Sequence, residues 1–258
     1  MRWTALLLAG QRPGIDPLAA HFGETWKALV PVGGEPMLSR VARTLLASPS
    51  IERVVVLAQS PEALTARPET AWLAGEPRIS FAASATSISL SVAGVAGSAA
   101  PWPVLVTTAD HALLTPDMVE SFVAGVGDAD IAVGLVERRT LLARYSGNKR
   151  TWLKFRGGAY SGANLFALTG ARSRAALELW AGVEQDRKKG WKLVAAFGPW
   201  LLLRALTRTI TLQAGLAAAG RRLSLAARAV VLPQAEAAID VDKPDDHKLA
   251  ESIITARG

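Results

Sequence analysis

Leu6-Leu7-Leu8-Ala9-Gly10-Gln11-Arg12-Pro13-Gly14 runs from an apolar segment straight into a small, basic, glycine-bearing loop, and Lys27-Ala28-Leu29-Val30-Pro31-Val32-Gly33-Gly34 follows it. A core strand that empties into such a loop, with a lysine beyond it, is how a chain wraps a polyphosphate. Glycine lets backbone N–H groups approach phosphate oxygens, and Arg12 and Lys27 supply the charge that offsets theirs. The stretch therefore points to nucleotide chemistry on an α/β sheet.

Outward from this strand, apolar runs alternate with helical patterns, which predicts a mixed, mostly parallel, Rossmann-like sheet flanked by helices. Strands are expected at 53–58, 78–82, 103–107, 131–136 and 164–168. Pro36 to Leu46 places Met37, Leu38, Val41, Leu45 and Leu46 on one helical face. Pro116 opens a helix with Thr115 as its N-cap, and Pro244 opens a last one whose first turn carries Asp245 and Asp246. Short helices are expected near 90–96 and over 171–185. Residues 185–232 read as a basic, mostly helical insertion or cap within one domain spanning 1–258.

Half of the 258 residues are apolar, enough for a sizeable core, and the absence of cysteine removes disulfides, thiolate metal sites and a cysteine nucleophile. That composition suits a reducing cytoplasm. The N-terminal ten residues resemble a short signal peptide, but their apolar run is brief and leads into the basic loop, so they read as the first core strand. Residues 79–109 carry no charge yet are interrupted by Ser, Thr, Gly and Pro, which favours buried strand–helix–strand structure over a membrane span. The net charge of +7 favours anionic partners. Nucleic acid is not expected, because the basic residues are scattered and no helix-turn-helix, zinc-finger or aromatic-platform signature accompanies them.

Four segments together resemble the nucleotidyltransferases of the molybdenum-cofactor guanylyltransferase type, a superfamily that includes methylerythritol-phosphate cytidylyltransferases. They are the opening Leu8–Gly14 loop with Lys27-Ala-Leu-Val-Pro-Val-Gly-Gly-Glu-Pro-Met-Leu, Thr107-Thr-Ala-Asp-His111, Tyr160-Ser-Gly-Ala-Asn-Leu-Phe166 and Asp240-Val-Asp-Lys-Pro-Asp-Asp246. The resemblance implies a GT-A type fold and transfer of a nucleoside monophosphate, CMP favoured, from a nucleoside triphosphate to a phosphorylated small-molecule acceptor, with pyrophosphate released. By the same resemblance Leu8, Ala9, Gly10, Gln11 and Gly14 would hold the nucleotide, Arg12 and Lys27 would be catalytic, and Ser87 would contact the base or ribose. The chain departs from the family at Gln11, where a second glycine is usual, and in the length of the Gly10–Lys27 segment.

Asp110 ends an apolar strand and so belongs at the carboxyl edge of the sheet, where open α/β folds bind ligands; a carboxylate there suits Mg²⁺. The resemblance makes Asp242 the second metal ligand, with Asp240 as competitor, while either acid alone could instead cap the helix at Pro244. His111 is read as positional, because an acceptor phosphate is already anionic and needs no general base. By position the basic loop carrying Lys149, Lys154 and Arg156 resembles the acceptor-binding segment of these transferases, which implies that these residues bind the acceptor phosphate, against the alternative of a solvated charged hairpin.

No acid occurs between Trp191 and Gln234, and the basic, apolar stretch 191–228 fits an anionic lipid surface, a cap over the site or a subunit contact. Two rival functions share the sheet. A sugar-nucleotide-dependent glycosyltransferase would normally show Asp-X-Asp at the strand end, whereas Asp110 is followed by His111 and Ala112. A non-catalytic nucleotide- or membrane-surface-binding protein of the same fold is the other.

Overall fold

β1 (Trp3–Leu8) pairs in parallel with β4 (Ile51–Ala58) on one side and β6 (Val104–Thr108) on the other. The computed structural model describes residues 1–11, 13–148, 150–185 and 198–257. β5 (Ile79–Ala83) continues the sheet beyond β4. Beyond β6 come the long β9 (Gly158–Leu168), β7 (Ile131–Glu137) and β10 (Ala227–Leu232), giving the order β10-β7-β9-β6-β1-β4-β5, with the short β8 (Leu153–Phe155) hydrogen-bonded to β9. β9 pairs antiparallel with β6, β7 and β8, and the remaining pairings in this sheet are parallel. A separate two-residue ribbon joins β2 (Pro31–Val32) to β3 (Glu35–Pro36).

The unbroken apolar runs follow from burial on both faces. Ala5 and Leu7 of β1 enter a large core with Val54, Val56, Leu105, Leu38, Leu45 and Phe122, whereas Leu6 points the other way into a smaller core with Val55, Leu57, Val106, Val92 and Leu177. The helices Met37–Ala47 and Pro116–Val126 thus cover one face, and Ile88–Val95 and Arg174–Gln185 the other. Each leucine fully withdrawn from water contributes roughly 2 kcal/mol.

Thr115 caps Pro116–Val126 through the amide of Met118, as its position before proline predicts. Departures from the pattern concern elements. Residues 227–232, within the segment expected to be mostly helical, form the sheet's outer strand β10, parallel to β7, with Val230 packed against Gly125 of the neighbouring helix. The stretch between Gly10 and Lys27 contains a short helix, Pro17–His21, whose N-cap Asp16 accepts from the amides of Leu18 and Ala19 at 3.0 Å each.

Candidate active site

All the parallel strands end at one edge, and Leu8, Ala9, Lys27, Asp110 and Asp242 collect there. Leu8 and Ala9 hold the glycine loop to that edge through the backbone: Ala109 N–H donates to the Leu8 carbonyl, and Ala9 N–H to that of Leu57, both at 2.9 Å. Gly10 is closely approached by two side chains. A Cβ there would lie 3.0 Å from the Gln59 carboxamide and 3.2 Å from Ser84 Oγ. Gly14 sits at φ +105°, a conformation that suits glycine.

Gln11 braces this loop to the lysine segment. Its Nε2 donates to the Thr25 carbonyl at 3.1 Å, and its Oε1 accepts from Lys27 N–H at 3.0 Å. Gln59 in turn grips the Gln11 backbone from both sides, accepting from its N–H at 3.2 Å and donating to its carbonyl at 2.8 Å. The residue that replaces the family's usual glycine is thus a cross-link between the two halves of the site. Arg12 lies outside the described residues.

Lys27 begins a short 3-10 turn and aims its ammonium between two carboxylates. Nζ is 2.6 Å from Asp110 Oδ2 and is also hydrogen-bonded to Asp242. Burial works against the charged ammonium, but the adjacent Asp110 and Asp242 outweigh it and hold the Lys27 pKa above the ordinary lysine value. Asp110 is fixed by its own strand, because Thr108 Oγ1 donates to its Oδ1 at 2.5 Å. Asp242 arrives from far along the chain, docked where Val241 N–H donates to the Asp110 carbonyl at 3.0 Å.

The two aspartates of Asp240-Val241-Asp242 have different partners. Asp240 is taken by Arg150, which also donates to the Asp240 carbonyl at 3.1 Å and to Asp246 Oδ1 at 3.2 Å. Asn164, held at φ +47°, approaches the other Asp240 oxygen at 3.4 Å. Burial raises the Asp240 pKa, Arg150 opposes the rise, and Asp242 and Asp110 add to it. Neither acid caps the last helix: its N-cap is Lys243, with no side-chain capping bond. Among the described residues no group of three or more His, Asp or Glu side chains is arranged to hold a metal. Asp110 and Asp242 do share one cation, the lysine ammonium, so their oxygens converge as a two-carboxylate set; that suits Mg²⁺, which takes one or two carboxylates and completes its shell with phosphate and water.

The other candidates are placed as follows. Ser87, beyond the end of β5, caps the helix Ile88–Val95 by accepting from Leu90 N–H at 3.3 Å and lies 3.1 Å from Ser89 Oγ, so its hydroxyl has local partners. Lys154 on β8 and Arg156 in the β8–β9 turn are exposed, and among the described residues no carboxylate pairs with either. Lys149 lies outside the described residues. His111 is buried, and neither ring nitrogen makes a well-formed hydrogen bond. Desolvation lowers its pKa to about 4, with Asp110 and the nearby Ala237 backbone pulling weakly the other way, so at neutral pH the ring is an uncharged packing group. Sequence reasoning passed over Gln59 and the anchoring of Arg150; their partners lie 48 and 90 residues away, and no local pattern marks them.

The family model described as "MobA-like NTP transferase domain" matches residues 5–223. No curated protein matches the chain. Among solved structures, a hypothetical transferase from Thermus thermophilus is 29% identical with a TM-score of 0.78, over 96% of this chain and 100% of that one. A 4-diphosphocytidyl-2C-methyl-D-erythritol synthase from Anaerococcus prevotii superposes with a TM-score of 0.59 at 9% identity, over 98% and 99% of the two chains. A CMP:2-keto-3-deoxy-manno-octonic acid synthetase complexed with CTP gives 0.58 at 13%, over 99% and 100%. The last two likenesses are of fold.

Proposed function

The chain belongs to the MobA-like NTP transferase family, and on that premise we propose that it transfers a nucleoside monophosphate from a nucleoside triphosphate to a phosphorylated small-molecule acceptor, releasing pyrophosphate. The observation that carries this reading is the meeting of Lys27, Asp110 and Asp242 at the carboxyl edge of the sheet, beside the glycine loop. Mg²⁺ bound by Asp110 and Asp242 would supply charge neutralisation on the triphosphate. The rest is the work of the chain's own groups. Backbone N–H groups of the Gly10–Gly14 loop and the side chain of Arg12 receive the phosphates, and Lys27 stabilises charge as it builds on them.

An oxygen of the acceptor phosphate attacks the α-phosphorus, the bond from that phosphorus to the bridging oxygen breaks, and pyrophosphate leaves with the electron pair. No proton need be removed from a phosphate that is already anionic, which fits a neutral, buried His111 that takes no part. Lys149, Lys154 and Arg156 are the groups we assign to the acceptor phosphate. Positioning and electrostatic stabilisation then account for the rate, without a covalent intermediate.

CTP is the triphosphate we favour. Ser87 and its neighbouring serines stand beyond the end of β5, and the names of two similar structures carry a cytidylyl product or CTP. The test is a panel of the four ribonucleoside triphosphates against sugar and polyol phosphates, with pyrophosphate release as readout. Release that requires both a triphosphate and a phosphorylated acceptor, fastest with CTP, is expected. Release without any acceptor, or none with any pair, would overturn acceptor-dependent transfer.

A further inference from the structure

The helix Pro199–Leu206 has the sequence Pro-Trp-Leu-Leu-Leu-Arg-Ala-Leu, and not one of its residues is buried. Trp200, Leu203 and Leu206 are 69%, 47% and 80% exposed. Their spacing of three places them along one side of the helix. A contiguous row of large apolar side chains facing water marks a contact surface, unlike the scattered single exposures normal for a soluble chain.

The surroundings identify the partner. Arg204 lies on the same helix and Arg208 just past its end, while Arg222, from the adjoining helix Leu212–Arg222, packs its guanidinium against Gly198 at the helix start. Among the described residues no carboxylate pairs with Arg204, Arg208, Arg221 or Arg222, and the sequence holds no acid from Trp191 to Gln234. An apolar row rimmed by arginines that no carboxylate pairs among the described residues matches a surface that offers acyl chains beneath anionic headgroups. A second copy of this chain matches poorly, because it would bring the same arginines and a net charge of +7 against them.

We infer that this helix docks the protein on an anionic lipid bilayer, with Trp200, Leu203 and Leu206 inserted at the headgroup boundary and the arginines on lipid phosphates. The site is tied to this surface. Arg156 N–H donates to the Ile210 carbonyl at 2.9 Å, and the Phe155 ring faces Gly215, so the β8–β9 turn bearing Lys154 and Arg156 is anchored to the same helical pair. Docking would therefore hold that turn near the headgroup plane, and an acceptor phosphate delivered from the membrane face follows if the assignment of Lys154 and Arg156 to the acceptor is right.

Flotation of the full chain with vesicles, without nucleotide, tests the docking independently of the proposed reaction. Phosphatidylcholine vesicles containing about one third phosphatidylglycerol should carry the protein upward, pure phosphatidylcholine should not, and raising salt from about 0.1 M to about 0.5 M should release it. Trp200→Ser/Leu206→Ser should lower the bound fraction at least about tenfold with an unchanged thermal melt, these side chains being exposed. Arg208→Gln/Arg221→Gln, also at exposed positions, should weaken binding to the anionic vesicles alone. The inference is overturned if the wild-type chain stays behind with both vesicle types, or if both double variants float as it does. It is also overturned if size exclusion shows a wild-type dimer that the apolar substitutions dissolve, which would assign the face to a second copy. Flotation without turnover would sink the acceptor reading and leave docking standing; turnover without flotation would do the reverse.

Discussion

Two ion clusters share the carboxyl edge of the sheet and are built in opposite ways. Lys27 meets Asp110 and Asp242 through a single ammonium on a flexible stem, and Asp242 is 51% exposed, so water can take the lysine's place. Arg150 is only 11% exposed and uses its planar fork on the Asp240 carboxylate, the Asp240 carbonyl and Asp246 at once. A compact point charge can let go of its partners and turn to a substrate, whereas a satisfied guanidinium cannot leave without stranding two partly buried carboxylates at once. Asp240 and Asp242 are two residues apart, yet one belongs to the frame and the other to the chemistry we propose.

Exchanging the roles of the two cations should give the largest effects. Lys27→Ala is expected to cut turnover by about a thousandfold or more, roughly 4 kcal/mol of transition-state stabilisation, with the circular dichroism spectrum unchanged. Unchanged turnover would remove Lys27 from the mechanism. Arg150→Ala should do the converse: a loss of about 3 kcal/mol in denaturant unfolding, while the folded fraction retains most of its turnover. A variant that melts like the wild type but does not turn over would place Arg150 in the chemistry and dissolve the distinction.

His111 sharpens the same contrast, because it neighbours Asp110 yet joins neither cluster. Its folded pKa is about 4, against an ordinary value of 6.5. Between those values the unfolded chain binds more protons than the folded one. The stability due to the neutral ring is therefore fully present above pH 6.5 and is lost as pH falls toward 4, by at most on the order of 3 kcal/mol. Asp240, whose folded pKa is raised, contributes with the opposite sign over the carboxylate range. Replacing the unpartnered ring by an apolar side chain, His111→Leu, should flatten the decline between pH 6.5 and 4 in urea titrations of the metal-free protein. A variant that declines as steeply as the wild type would show that other groups set the acid limit.

The sheet was legible in the sequence because its parallel strands are buried on both faces and write themselves as unbroken apolar runs, as at Leu6–Leu8, Val54–Leu57 and Val104–Val106. β10 was not. It is an outer strand, its Ala-Arg-Ala-Val-Val-Leu carries a charge near its start, and it follows a long run of good helix formers. The site was legible where local sequence carries the geometry, as at the strand end before Asp110 and the glycine loop after Leu8. Asp242 was preferred over Asp240 on the resemblance alone, because residues two apart in extended chain face the same side and the partner that distinguishes them, Arg150, lies 90 residues from Asp240. Ser87 shows the limit from the other direction: a hydroxyl before a helix reads equally as a cap and as a ligand contact, and here it caps.

The smallest effect should come from the brace that joins the glycine loop to the lysine, and it asks how far Lys27 depends on being held. Gln11 contributes two hydrogen bonds across the gap, to Thr25 and to the Lys27 amide, while Gln59 grips the Gln11 backbone on both sides. Gln11→Gly, which restores the family's usual residue, removes both side-chain bonds and frees the loop. A fall in kcat/KM of about fivefold to tenfold, close to 1 kcal/mol, is expected, carried mainly by kcat because it is the placement of the ammonium that loosens. Gln59→Ala should act on the same element, so the double variant should lose less than the sum of the single losses. Full additivity would mean that the two glutamines support separate structures and that Lys27 keeps its position by its carboxylates alone.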